Sequence, residues 1–307
     1  MMSVCRWWTS DSVVVVTGSN KGIGFEIVRQ LAQNGVTVVL TARDVNRGLS
    51  AVKTLKDEGL NVVFRQLDIH NPHSISEFAE WLKDNYGGLD MLVNNAGVFG
   101  VTIDHEAAYR AILNKTGDHH IYDDVDFGKA FKTNYEMSKE CIEINYYGTK
   151  RMIETLLPLI RSEGRIVNVS SDGGLLRYLK KESFRRPLTD VSSITEQVID
   201  QMINTFLEDM KSGQIEGKGW PIFCPPYGVS KFALNAYSRL LAKQLAEEGK
   251  KICVSNVHPG SVKTDMSGQA GDLTAPEGAD NVVTVALLPP GGPSGQFYFL
   301  KQPHPFF

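Results

Sequence analysis

The chain has 307 residues, 42% hydrophobic and 22% charged, with a formal net charge of −3 and a pI near 6.2. That length suffices for one large α/β domain with a sizeable core, and the slightly acidic balance argues against a nucleic-acid footprint or a basic membrane-binding face, which leaves small-molecule chemistry as the expectation. No stretch approaches the roughly 18 apolar residues of a membrane span; residues 1–12 lack a signal-peptide pattern, and Cys5, Cys141, Cys224 and Cys253 form no Cys-x-x-Cys pair, so a cytoplasmic protein with free thiols and no metal is expected.

Residues 13–16 are consecutive valines, the pattern of a parallel strand covered on both faces. After them comes Thr17-Gly18-Ser19-Asn20-Lys21-Gly22-Ile23-Gly24, and then Ile27, Val28 and Leu31 recur at helical spacing. The glycines therefore sit where a helix begins and its unpaired amides point outward, which is a phosphate site. The loop allows a tight turn, close approach to a pyrophosphate and close helix–strand packing. Its spacing, three residues and then one, departs from the commoner dinucleotide pattern.

Strand and helix patterns then alternate: strands at 36–41, 62–67 and 91–93, helices at 47–56 and 74–86. Alternation of this kind predicts an α/β fold, a doubly wound Rossmann-type parallel sheet with ligands across the carboxyl ends of its strands. Further strands are expected at 165–169, 252–257 and 296–300. A helix is expected from Thr274, which forms a capping box with Glu277, to about Leu288. Residues 1–307 read as a single domain with two insertions, about 100–140 and 172–226. Ile199, Met202, Ile203, Phe206, Leu207 and Met210 keep a helical period inside the second, so that insertion is read as ordered, and the two together are expected to form a lid over the substrate.

Tyr227 and Lys231 lie four apart at the start of a strong helical pattern, so both project from one face. A lysine ammonium beside a phenol draws its pKa down, toward use as a general acid. Ser171 ends a strand-like run and places a hydroxyl where it can bond a substrate oxygen, with Ser170 competing for that role. His105, His119, His120 and His258 show no metal-ligand spacing, Cys224 reads as apolar lining, and Trp220 and Phe223 are candidates for shaping a pocket or for packing.

Taken together, Thr17-Gly18-x-x-x-Gly22-x-Gly24, Asn94-Asn95-Ala96-Gly97, Asn145, Ser171, Tyr227-x-x-x-Lys231 and Pro259-Gly260 follow the order found in short-chain dehydrogenases/reductases, a resemblance spanning most of the chain. More narrowly, the chain resembles the carbonyl-reductase branch, in particular plant members related to salutaridine reductase and menthone (neomenthol) reductases. Asn20 to Gly24, Leu40-Thr41-Ala42-Arg43-Asp44-Val45, the insertion ahead of Tyr227 and Leu287-Leu288-Pro289-Pro290 carry that similarity.

The resemblance implies roles residue by residue. Tyr227 would donate a proton to a carbonyl oxygen, Lys231 would lower its pKa and hold the nicotinamide ribose, Ser171 would polarise the carbonyl, and Asn145 would hold a water linking Lys231 to solvent. Asn145 is preferred to Asn134 because a helix continues after it. Gly18, Asn20, Lys21, Gly22, Ile23 and Gly24 would hold the pyrophosphate. Asn94 to Gly97, including Asn95 and Ala96, would line the cofactor side of the fourth strand, and Asp68, with Ile69 beside it, would bond the adenine. Pro259, Gly260, Val262 and Thr264 would contact nicotinamide and phosphates.

At the end of the second strand an NAD site carries a carboxylate, whereas this chain has Arg43, whose guanidinium suits a 2′-phosphate, with Lys21 as a second cation. NADPH/NADP+ is the cofactor expected. The expected function is reduction of a ketone or aldehyde, a bulky apolar terpenoid or alkaloid ketone; the resemblance also implies a monomer, since in these relatives the inserted segment covers the face that other family members use to dimerise. The alternatives are reduction of a conjugated C=C bond, against which Tyr227 argues, and a non-catalytic NADP(H)-binding sensor or scaffold, against which the complete Asn, Ser, Tyr, Lys set argues.

Overall fold

A computed structural model describes residues 6–104 and 130–307. Cys5, His105, His119, His120 and most of the first insertion lie outside the described residues.

The first half alternates as its sequence pattern requires: β1 (Val13–Val16), α1 (Gly22–Gln33), β2 (Thr37–Ala42), α2 (Val45–Asp57), β3 (Val62–Gln66), α3 (Pro72–Tyr86) and β4 (Leu89–Asn94). A short antiparallel pair, β5 (Thr102–Ile103) and β6 (Phe131–Lys132), brackets the first insertion. Then follow α4 (Tyr135–Ile142), a π-turn (Glu143–Gly148), α5 (Thr149–Leu156) and β7 (Ile160–Val169). The second insertion contributes α6 (Glu182–Thr189) and α7 (Glu196–Lys211). The chain closes with α8 (Pro225–Glu247), β8 (Cys253–His258), α9 (Ala275–Ala286), β9 (Gln296–Phe299) and β10 (Gln302–His304).

Eight strands form one sheet in the order β10-β9-β8-β7-β4-β1-β2-β3, parallel except for the β9–β10 pair. The chain winds outward from β1 through β2 to β3, then crosses to β4 on the other side of β1. That reversal opens a crevice at the carboxyl ends of β1 and β4.

The valine run makes sense in this arrangement. Val13 and Val15 enter the core under α3, α5, α7 and α8, while Val14 and Val16 enter the core under α1, α2 and α9. Alternate residues of one strand thus face two apolar layers, so none can be polar. The expected capping box is present: the Thr274 amide donates to Glu277 Oε2 at 2.8 Å and the Glu277 amide to Thr274 Oγ1 at 3.5 Å.

Two strands exceed the sequence reading. β7 begins at Ile160, through the polar run Arg161-Ser162-Glu163-Gly164, where Glu163 adopts φ +66° and the register against β4 shifts. β10 is a short edge strand containing Pro303, whose missing N–H is tolerated at a sheet edge.

The second insertion is helical and belongs to the same core as the sheet. Ile199, Met202, Ile203 and Phe206 of α7 are fully buried, and α7 packs against α4 and α8. Asp209, near the end of α7, accepts Trp220 Nε1 at 2.9 Å and Lys218 Nζ at 2.5 Å. Trp220 also stacks on Phe184 and meets Phe206 edge-on, so it packs the insertion and does not shape a pocket. Tyr147 Oη donates to Asp200 at 2.9 Å and Lys150 Nζ to Glu196 at 2.6 Å, seating α7 on the helical run that carries Asn145. Among the described residues no helix is long and apolar enough to cross a membrane.

Candidate active site

The glycine loop enters α1 with Lys21 at the N-cap, without a side-chain cap and without an acid in the first turn. The amides of that turn are thereby left for an anion. Gly22 sits at φ +58°, and a Cβ there would approach only Thr264, at 3.7 Å across open cleft. Gly24 is required by close approach, because a Cβ would lie 2.3 Å from Asn95 Nδ2. That amide holds the loop's shape by donating to Thr17 O and Gly18 O, each at 3.0 Å. In return Thr17 Oγ1 accepts the backbone amides of Asn95 and Ala96 at 3.0 and 3.1 Å. The loops after β1 and β4 are thus fixed to each other.

Between them runs a cleft of about 480 Å3. Gly18, Asn20, Lys21, Gly22, Ile23 and Gly24 line it from the first loop, Asp68, Ile69, Asn95, Ala96, Gly97, Val98 and Ile144 line it as well, and Arg43, Asp44 and Arg47 complete that lining after β2. Arg43 is exposed and its guanidinium has no bonded partner among the described residues. Arg47 was not singled out from the sequence; it lies in the first turn of α2, whose N-cap Asp44 accepts the Arg47 amide at 2.9 Å. The Asp44 carboxylate, which in the sequence competes with the NADPH reading, thus acts as a helix cap.

Several expectations shift. Lys21 is ion-paired with Asp265 at 2.6 Å, so its charge is engaged across the cleft mouth and is not free beside Arg43. Asn94 does not face the cofactor side: it is buried and donates to Asn168 Oδ1 at 2.8 Å. Thr264 lines the cleft with Lys263, Asp265, Met266 and Gln269, whereas Pro259, Gly260 and Val262 lie outside this lining. The Pro259 carbonyl is taken by Asn281 Nδ2 at 2.9 Å, and Val262 is buried and bridged to Leu273.

Next to Val98, outside the cleft lining itself, the other four residues meet. The Val98 amide donates to Asn145 Oδ1 at 2.8 Å, and Asn145 Nδ2 donates to Val98 O at 2.8 Å and Ser230 Oγ at 3.1 Å. Both ends of the Asn145 amide are therefore engaged, leaving the main chain of the π-turn for any water held there. Asn134 instead caps α4 through the Met137 amide. Of the two serines, Ser170 is committed to Asn235 at 2.7 Å, while Ser171 lies beside Tyr227 and donates to Asp172 Oδ1 at 3.1 Å.

Lys231 is 5% exposed, its Nζ donates to Val169 O at 2.9 Å and it lies 5.4 Å from the centroid of the Tyr227 ring. Burial lowers the ammonium pKa to about 8. Burial also pushes the Tyr227 phenol up, with the Ser171 hydrogen bond opposing. The net shift is upward, opposite to the lowering expected from the sequence, and loss of water around the phenol is its largest cause.

Cys141 and Cys224 line the same region. Cys141 receives Asn145 Nδ2 at 3.3 Å, and burial pushes its thiol up to about 12, so it packs and does not react. Phe99 meets Tyr227 edge-on at 5.1 Å, and Phe131 and Phe223 close an aromatic cluster around it. Phe223 thus joins the tyrosine's surroundings through Phe99, which carried no sequence signal.

The model of the short chain dehydrogenase family matches residues 12–184 and 181–274. The chain belongs to the short-chain dehydrogenase family. Within this oxidoreductase family it is 47% identical to a (+)-neomenthol dehydrogenase of Arabidopsis thaliana, covering 94% of this chain and 96% of that one. It is 40% identical to carbonyl reductase [NADPH] 1 of Rattus norvegicus over 96% of this chain and 98% of the other. The solved structure of salutaridine reductase from Papaver somniferum superposes with a TM-score of 0.84 at 44% identity, covering 94% of this chain and 99% of that one. The resemblance read from the motifs and the doubly wound fold are both borne out.

The buried lysine gives this dehydrogenase an unusual pH dependence. A folded-state pKa of about 8 lies below the 10.5 of an exposed lysine, so between those values the unfolded chain holds the extra proton and the stability this group contributes rises with pH. Lys231→Met removes that titration. Denaturant unfolding should show the variant's stability relative to wild type falling by about 3 kcal/mol from pH ~7 to pH ~10; a constant difference would place the ammonium in a solvated site.

Proposed function

We propose that this short-chain dehydrogenase is an NADPH-dependent carbonyl reductase that converts a bulky, apolar ketone or aldehyde to the alcohol. The observation that carries the reading is that Ser171, Tyr227, Lys231 and Asn145 meet beside Val98, which Asn145 holds and which lines a cleft that also holds Arg43 and Arg47. The uncapped start of α1 and the open side of Gly22 fit a pyrophosphate, and two exposed guanidiniums fit a 2′-phosphate better than a ribose hydroxyl. NADPH, when bound, supplies the hydride.

The chain's own residues handle the oxygen. Ser171 Oγ donates a hydrogen bond to the substrate's carbonyl oxygen, fixing it beside Tyr227. The phenol holds its proton until negative charge develops on that oxygen and then transfers it. An elevated phenol pKa suits the donor half of this step, because the proton is retained until an alkoxide-like oxygen is there to take it. Lys231, held by Val169 O, supplies positive charge to the phenolate left behind, and Asn145 holds the π-turn and Ser230 in place along the route by which Tyr227 is reprotonated.

The substrate side is apolar. Phe99 packs on Tyr227, Phe131 and Phe223 pack on Phe99 and on each other, and Ile222, next to Phe223 in the chain, is 91% exposed. Such a surface selects by area and shape, which is the basis for a terpenoid- or alkaloid-like ketone. The lid role of the two insertions, the monomeric state and the cytoplasmic location belong to the same proposal. The seating of α7 on α5 and the π-turn supports the monomer, since it covers a helical face otherwise available to a second copy.

Tyr227→Phe should lower kcat for ketone-dependent NADPH oxidation by about 100-fold or more while NADPH affinity, followed by fluorescence, stays nearly constant. Turnover near the wild-type rate would remove the phenol from the reaction. Arg43→Ala and Arg47→Ala should each weaken NADPH binding about tenfold and leave NADH binding close to wild type; equal losses for the two cofactors would show that neither arginine reads the phosphate.

A further inference from the structure

Behind Ser171 lies a second buried polar pair that the proposed reaction does not use. Asp172, in the turn after β7, is 4% exposed, and His258, the last residue of β8, is 7% exposed. His258 Nδ1 stands 3.7 Å from Asp172 Oδ1, beyond hydrogen-bond length, and this nitrogen is buried without a bonded partner. The imidazole is packed against Phe299 at 4.9 Å. Asp172 Oδ1, meanwhile, accepts the Ser171 hydroxyl at 3.1 Å and the Gly173 amide at 2.8 Å.

This arrangement is a contest over one proton. A serine hydroxyl has a single hydrogen to give, and while Asp172 holds it, Ser171 has none for a substrate carbonyl. Asp172 also adds its negative charge to the burial that already pushes the Tyr227 phenol up. A small rotation of the Asp172 carboxylate toward His258 would close the gap between Nδ1 and Oδ1, satisfying a buried nitrogen and turning Oδ1 away from Ser171. Burial lowers the His258 pKa against the opposing pull of Asp172, so the ring is neutral near pH 7 and carries one proton, and the neighbouring carboxylate favours Nδ1 as its site.

We propose that His258 is a positioning residue for the carbonyl reduction set out above: by donating Nδ1–H to Asp172 it draws the carboxylate off Ser171, so that the serine's proton is directed to the substrate's carbonyl oxygen. The inference rests on the reductase reading. It gives a role to the histidine that immediately precedes the Pro259-Gly260 motif, and it makes Asp172 a competitor that His258 restrains.

The test uses the full chain with NADPH and a cyclic ketone. His258→Phe should lower kcat by about 10- to 100-fold, leaving NADPH affinity unchanged, because Asp172 then captures the Ser171 proton. His258→Asn, which places an amide N–H near the lost Nδ1, should keep most of the activity. The double variant His258→Phe with Asp172→Asn should recover much of the lost kcat, since no carboxylate remains to compete. In cofactor-free protein, 15N NMR should show His258 protonated on Nδ1, with that tautomer lost in Asp172→Asn. An active wild type whose double variant is no better than His258→Phe, or whose His258 carries its proton on Nε2, overturns the proposal alone. A wild type that binds NADPH yet reduces no carbonyl compound overturns the reductase reading together with it.

Discussion

The bond from Lys231 Nζ to the carbonyl of Val169 is the constraint on which the active region depends. An ammonium brought into a dry interior loses much of its hydration, and a single main-chain carbonyl returns part of it. What the bond achieves is geometric. It pins the first turns of α8 to the carboxyl end of β7, and Tyr227, one turn earlier, is thereby set against Ser171 at the same strand end. The helix can be drawn in this far because it is buried almost all round, from Gly228 to Ala242, between β8 on one side and α4 and α7 on the others. The second insertion thus has a structural role before any role as a lid, since it covers a face of α8 that would otherwise meet water.

The glycine loop answers to a separate constraint. Four hydrogen bonds join Asn95 and Ala96 to Thr17 and Gly18 across the loops after β1 and β4, which fixes the walls of the cleft independently of α8. One half of the site is held by backbone-directed bonds at the sheet's switch point and the other by burial of a helix. In the proposed reductase the first half holds a dinucleotide and the second handles a carbonyl, and the aromatic cluster of Phe99, Phe131 and Phe223 sits where the second half opens. Cofactor and substrate preferences would then vary independently, one through Arg43 and Arg47 and the other through residues of the insertions.

Much of this was legible in the sequence because it is local. Val13 to Val16 announce a two-sided strand, the glycine spacing announces an uncapped helix start, Thr274 and Glu277 announce a cap, and the period of Ile199 to Met210 announces a helix inside an apparent excursion. Relations across the sheet were hidden. That Asp265 would neutralise Lys21, that Asn94 would turn to Asn168, and that burial would push the Tyr227 phenol up all depend on residues far apart in the chain. Arg47 could have been found by noting that Asp44 starts α2 and that the next basic residue lies in its first turn. The Asp172–His258 pair could not, since it arises only from β7 lying beside β8.

The central claim is that the group of residues beside Val98 delivers a proton to a carbonyl oxygen while hydride reaches the carbonyl carbon. The most direct test is incubation with NADPH carrying deuterium on the transferring face at C4 and a cyclic α,β-unsaturated ketone, with the product analysed by mass spectrometry and NMR. The account predicts an allylic alcohol with one deuteron on the carbinol carbon and the C=C bond intact. A saturated ketone with deuterium on the β-carbon, or no transfer to any carbonyl compound from protein that binds NADPH, would contradict it.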